Sequence, residues 1–403
     1  MRLSRLTAMN TALPRIERKH LVINECDLPS HQERVKEPLR KILIATLHIW
    51  DIPDTREAVR KNFRKVIDCR TAALGGEIYA SDKETLVVPH TCKSRSCPSC
   101  GHRATLLWQR DRWCDLFDVP YSMVTLTMPD VLWTVFRDNR DLLHDLPSIG
   151  AQVISRWVHL RYGATLDIDV IQHTFGRHLN FNCHLHVLVS GFGLRRSESR
   201  FVPVWLDADE IMSWWRDAIT LYLQEIAKLG LLQSALSIDA LTAGLISQGR
   251  RKWSVHIARF KSKEQLLHYA GRYVRRPPIA QHRFLTVTDE RVEFWTNDRK
   301  LKRRVKTRYQ INDFVATLAD HTHDHYRHSV RSFGLLAPRS IGLMRSALFL
   351  LLGQRRRERP KRLKYRNSIL RSFGRDPLLD SQGNEMHRIG RVEPKRSVAD
   401  NLS

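Results

Sequence analysis

Near the middle of the chain runs Asn182-Cys183-His184-Leu185-His186-Val187-Leu188-Val189, whose apolar and β-branched residues predict a buried strand. Successive side chains of a strand point to opposite faces, so His184 and His186 should share one face, about 6–7 Å apart along the backbone. Two imidazoles in this arrangement can hold one divalent metal ion. The stretch therefore predicts a central strand that carries a metal site.

Two tyrosines follow, in Tyr269-Ala270-Gly271-Arg272-Tyr273. The segment 264–274 predicts a helix that ends before two prolines, and residues four apart on a helix lie on one face. A tyrosine hydroxyl, with a pKa of about 10, attacks poorly at neutral pH unless a base removes its proton or a metal ion polarises the target phosphate. The combined pattern predicts Tyr269 and Tyr273 as nucleophiles that cut DNA through a 5′-phosphotyrosine. Because that bond conserves the energy for rejoining, no nucleotide cofactor is expected.

The catalytic ion is expected to be Mg²⁺ or Mn²⁺, held by His184 and His186, and its third ligand stays open at the level of sequence. Gln172 on the neighbouring predicted strand and Gln265, one turn before Tyr269, are the candidates. His173 follows Gln172 directly, and it is expected to face the opposite side because side chains alternate along a strand.

The surrounding sequence predicts an α+β architecture. Apolar runs at 121–127 and 167–175 are typical of strands, and a turn at 176–180 joins the second run to the histidine-pair strand. So short a connection makes the two neighbouring strands antiparallel. A helix is expected at 208–229, and further strands are expected near 284–296.

Four of the seven cysteines lie in a short, loop-rich segment, residues 67–110. Within it, Cys97-Pro98-Ser99-Cys100-Gly101 has the Cys-x-x-Cys spacing common in zinc knuckles, and a cysteine five residues earlier can reach the same ion. The fourth ligand is expected to be a further cysteine, with His90 or His102 as alternatives. The expected ligands of one structural Zn²⁺ are Cys69, Cys92, Cys97 and Cys100.

The composition points to an anionic partner. The 403 residues include 67 Lys and Arg against 42 Asp and Glu, a formal net charge of +25. Nucleic acid is the usual partner of such a surface. A membrane partner is not expected, because the apolar runs are far shorter than the roughly 20 residues of a spanning helix. Residues 1–19 lack the apolar stretch of a secretory signal, so a cytoplasmic location with reduced cysteines is expected.

Two runs concentrate the basic charge, with seven basic residues in ten at 299–308 and eight in twelve at 355–366. Contact with the DNA backbone is the expected use of such runs. The histidine-rich segment 321–328 falls on an expected helix and is interpreted as structural. The basic residues expected to bind DNA are Arg272, Arg275, Arg276, Arg299, Lys300, Lys302, Arg303 and Arg304.

These motifs together resemble the two-tyrosine, HUH-type rolling-circle transposases of bacterial insertion sequences, the IS91 group. The stretches that carry the likeness are 91–101, 124–129, 174–176, 184–191, 269–277 and 331–335. The resemblance implies a zinc-binding module ahead of an antiparallel-sheet HUH nuclease domain. It also implies that Tyr269 and Tyr273 are the nucleophiles, that His184 and His186 are the metal pair, and that the partner is DNA, single-stranded at the cleavage site and element ends.

Four segments are therefore expected: an N-terminal helical segment, the zinc module, the catalytic domain, and a basic helical C-terminal region with a tail. Their expected bounds are 1–66, 67–110, 111–298 and 299–403. The expected function is the nicking and transfer of DNA strands in rolling-circle transposition. One alternative is a plasmid replication initiator or relaxase-type HUH endonuclease, and another is a non-catalytic zinc-dependent DNA-binding protein. The single zinc module favours the transposase, and the intact tyrosine and histidine pairs argue against the non-catalytic protein.

Overall fold

The structure, a computed structural model, describes residues 21–23, 37–233, 238–274, 277–298 and 301–401. The chain divides into two compact units, each built from segments that are distant in sequence. The first unit comprises Met1–Ala104, Ile279–Thr322 and Arg359–Ser403, and the second comprises Thr105–Pro278 and His323–Glu358.

Twelve α-helices and fourteen strands fall within the described residues. The helices are α1 (Pro38–Ala45), α2 (Leu47–Trp50), α3 (Glu57–Asp68), α4 (Pro98–Asp115), α5 (Trp133–Asp138), α6 (Leu146–Tyr162), α7 (Ala208–Lys228), α8 (Ile238–Gly249), α9 (Lys263–Ala270), α10 (Ile311–Asp320), α11 (Pro338–Leu351) and α12 (Tyr365–Phe373). The strands are β1 (Leu21–Ile23), β2 (Gly76–Ala80), β3 (Thr85–Pro89), β4 (Tyr121–Leu126), β5 (Asp167–Phe175), β6 (Phe181–Ser190), β7 (Phe192–Arg195), β8 (Arg200–Pro203), β9 (Val255–Phe260), β10 (Phe284–Val287), β11 (Arg291–Asp298), β12 (Arg303–Gln310), β13 (Val330–Gly334) and β14 (His387–Val392). None of the described helices is long and apolar enough to cross a bilayer.

A five-stranded antiparallel sheet of order β13-β5-β6-β4-β9 forms the centre of the second unit. Its middle strand, β6, is the predicted histidine-pair strand. Leu185 and Val187 point to the face on which α6 and α7 pack, whereas Leu188 points to the face covered by α9 and α11. Burial on both faces explains why this strand is a nearly continuous apolar run. The expected α+β class with an antiparallel sheet is confirmed.

A buried ion network ties α11 to β5 in the second unit. Arg345 donates to both carboxylate oxygens of Asp167 at 2.6 and 2.8 Å, and both side chains are fully buried. The Arg345 guanidinium also lies 3.7 Å from the ring centroid of Phe117. Nearby, Arg112 pairs with Asp169 at 2.8 Å and so offsets the burial that raises the pKa of that carboxyl. The site-bearing strand is thus anchored by paired charges.

The first unit contains two small antiparallel sheets, of order β1-β12-β11-β10 and β14-β2-β3. Phe314 of α10 packs against Phe294 and Tyr309 on one face of the four-stranded sheet. In the other sheet, β14 (His387–Val392) pairs with β2, which lies within the cysteine segment 67–110.

The expected segment bounds differ from this architecture. The C-terminal region expected to be helical begins with β12, because Val305, Thr307 and Tyr309 are buried at every second position. The expected boundary at 298 falls inside the hairpin of β11 and β12. The segment 1–66 contains strand β1 in addition to its helices. The histidine-rich segment 321–328, which was expected to lie on a helix, begins only after α10 has ended.

Candidate active site

Three histidines meet on one face of the five-stranded sheet: His173 of β5, and His184 and His186 of β6. Their candidate ligand atoms all lie within 4.8 Å of one another. His173 is directly opposite His184, and residues opposite each other on antiparallel strands point to the same face. The structure therefore adds a third imidazole to the predicted pair.

The expectation that His173 faces away from the pair is wrong, and a β-bulge is the reason. Phe175 pairs with Phe181, whereas His173 pairs with His184, so two residues of β6 oppose the single Thr174. A register shift of one residue moves the following side chains to the other face relative to their partners. If the pairing of Phe175 with Phe181 continued without the bulge, His173 would lie opposite Cys183. Its side chain would then point to the other face of the sheet from His184 and His186.

The two glutamines considered as third ligands make other contacts. Gln172 Nε2 donates to the carbonyl oxygen of Leu143 at 2.7 Å, on the other face of the sheet. Gln265 Oε1 accepts from the backbone N–H of Lys261 at 3.1 Å, at the start of α9. The structure thus places a histidine, and neither glutamine, with the pair.

Each of the three imidazoles has one ring nitrogen within hydrogen-bond distance of a protein oxygen. His184 Nδ1 lies 2.8 Å from the carbonyl oxygen of Asn182, and His186 Nδ1 lies 3.2 Å from Thr125 Oγ1. His173 Nε2 lies 2.6 Å from a backbone carbonyl oxygen of the tyrosine segment. Such contacts fix the ring orientation and tautomer of metal-binding histidines. The other nitrogen of His186, Nε2, is buried without a hydrogen-bond partner among the described residues, as fits a metal ligand.

Burial keeps the imidazoles of His184 and His186 neutral. Desolvation lowers the pKa of His184. It lowers the pKa of His186 well below the ordinary value of 6.5, and the neighbouring His184 adds to the effect. Neutral imidazole is the form that binds a metal ion, so the site is prepared for binding at neutral pH.

The two predicted tyrosines share one site beside these histidines. Helix α9 ends at Ala270, and turns continue the backbone to Val274, whose N–H donates to the carbonyl oxygen of Ala270 at 3.1 Å. Tyr273 lies in these turns, and its hydroxyl donates to the hydroxyl of Tyr269 at 3.2 Å. The expected common face is therefore present, although the regular helix is shorter than 264–274.

The two tyrosine rings have different neighbours. The ring centroid of Tyr273 lies 4.3 Å from that of His186. Tyr269 packs at 5.1 Å against Phe260, and the guanidinium of Arg272 lies 4.8 Å from its ring centroid. Tyr273 is thus the tyrosine in contact with the histidine cluster, whereas Tyr269 contacts an aromatic ring and a guanidinium group.

The other basic residues expected to bind DNA fall into two sets. Arg275, Arg276, Arg299 and Lys300 lie outside the described residues. Lys302, Arg303 and Arg304 have exposed side chains at the start of β12, in the first unit.

A second cluster, in the first unit, consists of four thiols: Cys69 after α3, Cys92 after β3, and Cys97 and Cys100 around the start of α4. The sulfur atom of Cys100 lies 3.8 Å from that of Cys69 and 3.6 Å from that of Cys92, and Cys97 and Cys69 are 3.7 Å apart. Tetrahedral zinc with Zn–S bonds of about 2.3 Å separates its sulfurs by about 3.8 Å, so the spacing fits. His90 instead contacts Leu74 and Glu77.

Comparison with known proteins gives concordant matches. A family model described as "Putative transposase" matches residues 168–342, and one described as "Transposase zinc-binding domain" matches residues 45–128. The "Transposase for insertion sequence element IS801" of Pseudomonas savastanoi pv. phaseolicola is 26% identical over 329 residues, which cover 76% of this chain and 77% of that protein. "Putative transposase y4qJ" of Sinorhizobium fredii is 27% identical over 290 residues, covering 67% of this chain and 72% of that protein. No solved structure matches the chain significantly.

Proposed function

We propose that this chain is a two-tyrosine transposase of the IS91 group and that it nicks and transfers single DNA strands in rolling-circle transposition through a 5′-phosphotyrosine. The observation that carries this proposal is the contact between the tyrosine pair and the three-histidine cluster. Tyr273 lies against His186, and its hydroxyl reaches that of Tyr269. A nucleophile and a metal-binding site within contact distance are what phosphoryl transfer to tyrosine requires.

In the proposed reaction a tyrosine oxygen attacks the phosphorus of a DNA phosphodiester. The Oη–P bond forms and the P–O3′ bond breaks, while the tyrosine proton is released and the 3′ oxygen takes up a proton. His173, His184 and His186 would hold a divalent ion, which when bound polarises the phosphate. A set of three imidazole nitrogens favours Mn²⁺ over Mg²⁺, which prefers oxygen ligands.

Two hydroxyls 3.2 Å apart allow two strand ends to be handled at one site. The second tyrosine can cleave another phosphodiester while the first tyrosine is still joined to DNA. Each joining step is the reverse reaction, in which a 3′ hydroxyl displaces the tyrosine, and it consumes no nucleotide.

The zinc module has a structural role in this proposal. Four thiolates at tetrahedral spacing leave no open position for a substrate, so Cys69, Cys92, Cys97 and Cys100 would hold one closed Zn²⁺ site. Elemental analysis of the purified chain is expected to give about one zinc per chain.

The proposed function is tested by incubating the chain with 3′-end-labelled single-stranded DNA and Mn²⁺ and by looking for an adduct that survives denaturation. The labelled peptide should contain Tyr269 or Tyr273. The double change to phenylalanine should abolish the adduct, whereas Tyr326→Phe, which removes the hydroxyl of a tyrosine that is 97% exposed, should leave it unchanged. An adduct in the double variant would show that the two tyrosines are not the nucleophiles.

A further inference from the structure

The register of β11 and β12 sorts the basic run of the first unit into two faces. Val305, Thr307 and Tyr309 are buried on the face that α10 covers. The alternate residues Arg304, Lys306 and Arg308 lie on the other face, about 6.7 Å apart along the strand. Within β12, alternate residues thus supply part of a core and a row of cations.

The neighbouring strand adds an aromatic ring and one carboxylate to this row. In the register, Trp295 is opposite Lys306 and Glu293 is opposite Arg308, so both share its face. Trp295 is partly exposed. We call this set the cationic face, and its members are Arg291, Glu293, Trp295, Arg304, Lys306 and Arg308.

Glu293 organises the cations of this face. Its side chain is only 6% exposed, and its carboxylate lies 2.6 Å from Arg308 Nε, 3.7 Å from Arg291 Nε and 3.9 Å from Lys306 Nζ. One carboxylate therefore meets three cations, and Arg304 adds a fourth. The face keeps an excess of positive charge, because its single carboxylate offsets only one of the four cations.

We propose that the cationic face binds single-stranded DNA without sequence preference, with phosphates on Arg304, Lys306 and Arg308 and a base stacked on Trp295. An ordered row of cations complements a phosphate backbone. An exposed indole ring among them accepts any base, because every base has a π-face, and stacking requires an unpaired base. This inference rests on the proposed function for its substrate class, and it assigns a second contact for the strand.

The test uses the full chain with Tyr269→Phe and Tyr273→Phe, so that no covalent product forms, and a fluorescent oligothymidylate. Replacement of Arg304, Lys306 and Arg308 by Gln should weaken binding. It should also reduce the slope of log affinity against log salt by about 2, since each phosphate contact on a single strand contributes about 0.7. Trp295→Leu should weaken binding by at least about 5-fold with an unchanged slope.

Two variants separate this face from the general charge of the chain. The matched control replaces Lys61, Lys228 and Lys252, all more than half exposed, by Gln, and should change the slope far less. Glu293→Gln removes the one negative charge of the face and should tighten binding several-fold. Equal effects of the two triple variants, or weaker binding by Glu293→Gln in a chain that melts normally, would overturn the proposal. The adduct assay of the proposed function uses the chain with Arg304, Lys306 and Arg308 unchanged. Absence of an adduct there, together with oligothymidylate binding that responds to the triple change as described, would count against the proposed chemistry and not against this face.

Discussion

The two tyrosines are alike in sequence but differ in their contacts. Tyr273 lies against His186, whereas Tyr269 packs on Phe260 under the guanidinium of Arg272. His173, one of the three clustered histidines, also contacts the carbonyl oxygen of Tyr273 at 2.6 Å. The histidine cluster and the backbone of Tyr273 are therefore directly connected, which favours Tyr273 as the first nucleophile.

We expect Tyr273→Phe to abolish adduct formation in a single-turnover reaction with one labelled strand. Tyr269→Phe should keep this first adduct and lose the transfer of a second strand, because the remaining hydroxyl is already consumed. Quench-flow assays with two differently labelled strands measure both steps. Loss of the first adduct in Tyr269→Phe, with retention in Tyr273→Phe, would reverse the order.

The histidine cluster also predicts how stability depends on pH. Burial lowers the pKa values of His184 and His186 below 6.5, so the unfolded chain binds more protons than the folded chain below that pH. The stabilisation from the neutral imidazoles is fully present above pH 6.5 and is lost as pH falls toward the folded-state values. Metal-free protein should therefore melt at lower temperature on acidification from pH 7 to 5. His184→Gln with His186→Gln should flatten this dependence, and an unchanged pH profile in that variant would contradict the assignment.

At the scale of elements, α11 depends on a buried charge. We expect Arg345→Met to destabilise the second unit by about 3–5 kcal/mol, because it leaves the fully buried Asp167 without its cationic partner. Adding Asp167→Asn should recover part of this loss, since the uncompensated carboxylate is the main cost. Denaturant unfolding measures both effects. Lys228→Met, which breaks the exposed pair with Glu225, should cost less than about 1 kcal/mol, and a comparable cost for both changes would refute the argument.

Elements and site were predictable from the sequence to different extents. The strands around the histidine pair were predicted because apolar runs and turn residues mark them locally. The third histidine was missed because the face of His173 is set by a bulge, in which two residues of β6 oppose Thr174, and side-chain alternation alone cannot reveal a bulge. A comparison of both registers across the turn 176–180 would have shown that one of them brings His173 to the pair.

At the scale of the whole chain, neither unit is continuous in sequence. The first unit closes its β14-β2-β3 sheet with a strand from residues 387–392, more than three hundred positions after its partner β2. Such a pairing depends on long-range contacts that no local pattern in the sequence encodes. For the same reason the strand β12 was expected as part of a helical region, since a dense basic run conceals the twofold alternation of its buried residues.

The C-terminal tail reaches the residue next to Cys69, one of the proposed zinc ligands, and this contact yields a prediction about metal retention. Asp68 directly precedes Cys69 and accepts hydrogen bonds from Ser397 Oγ at 2.8 Å and from the backbone N–H of Val398 at 2.9 Å. Because the tail holds the end of α3, it fixes the backbone that presents the Cys69 thiol. Deletion of residues 387–403 should therefore speed zinc release to a chromogenic chelator, and Ser397→Ala should do so to a smaller degree.

The matched control for that experiment is Ser381→Ala, which removes an exposed hydroxyl shortly before the deleted residues; this hydroxyl contacts Glu84 and neither Asp68 nor Cys69. It should release zinc at the rate of the unchanged chain. The deletion should still give the phosphotyrosine adduct on a short single strand, because the tyrosines and histidines belong to the other unit. If the deleted chain retained zinc as firmly as the full chain, the four thiols and their local loops would suffice to hold the ion. The contribution of the tail would then be limited to strand β14 of the β14-β2-β3 sheet.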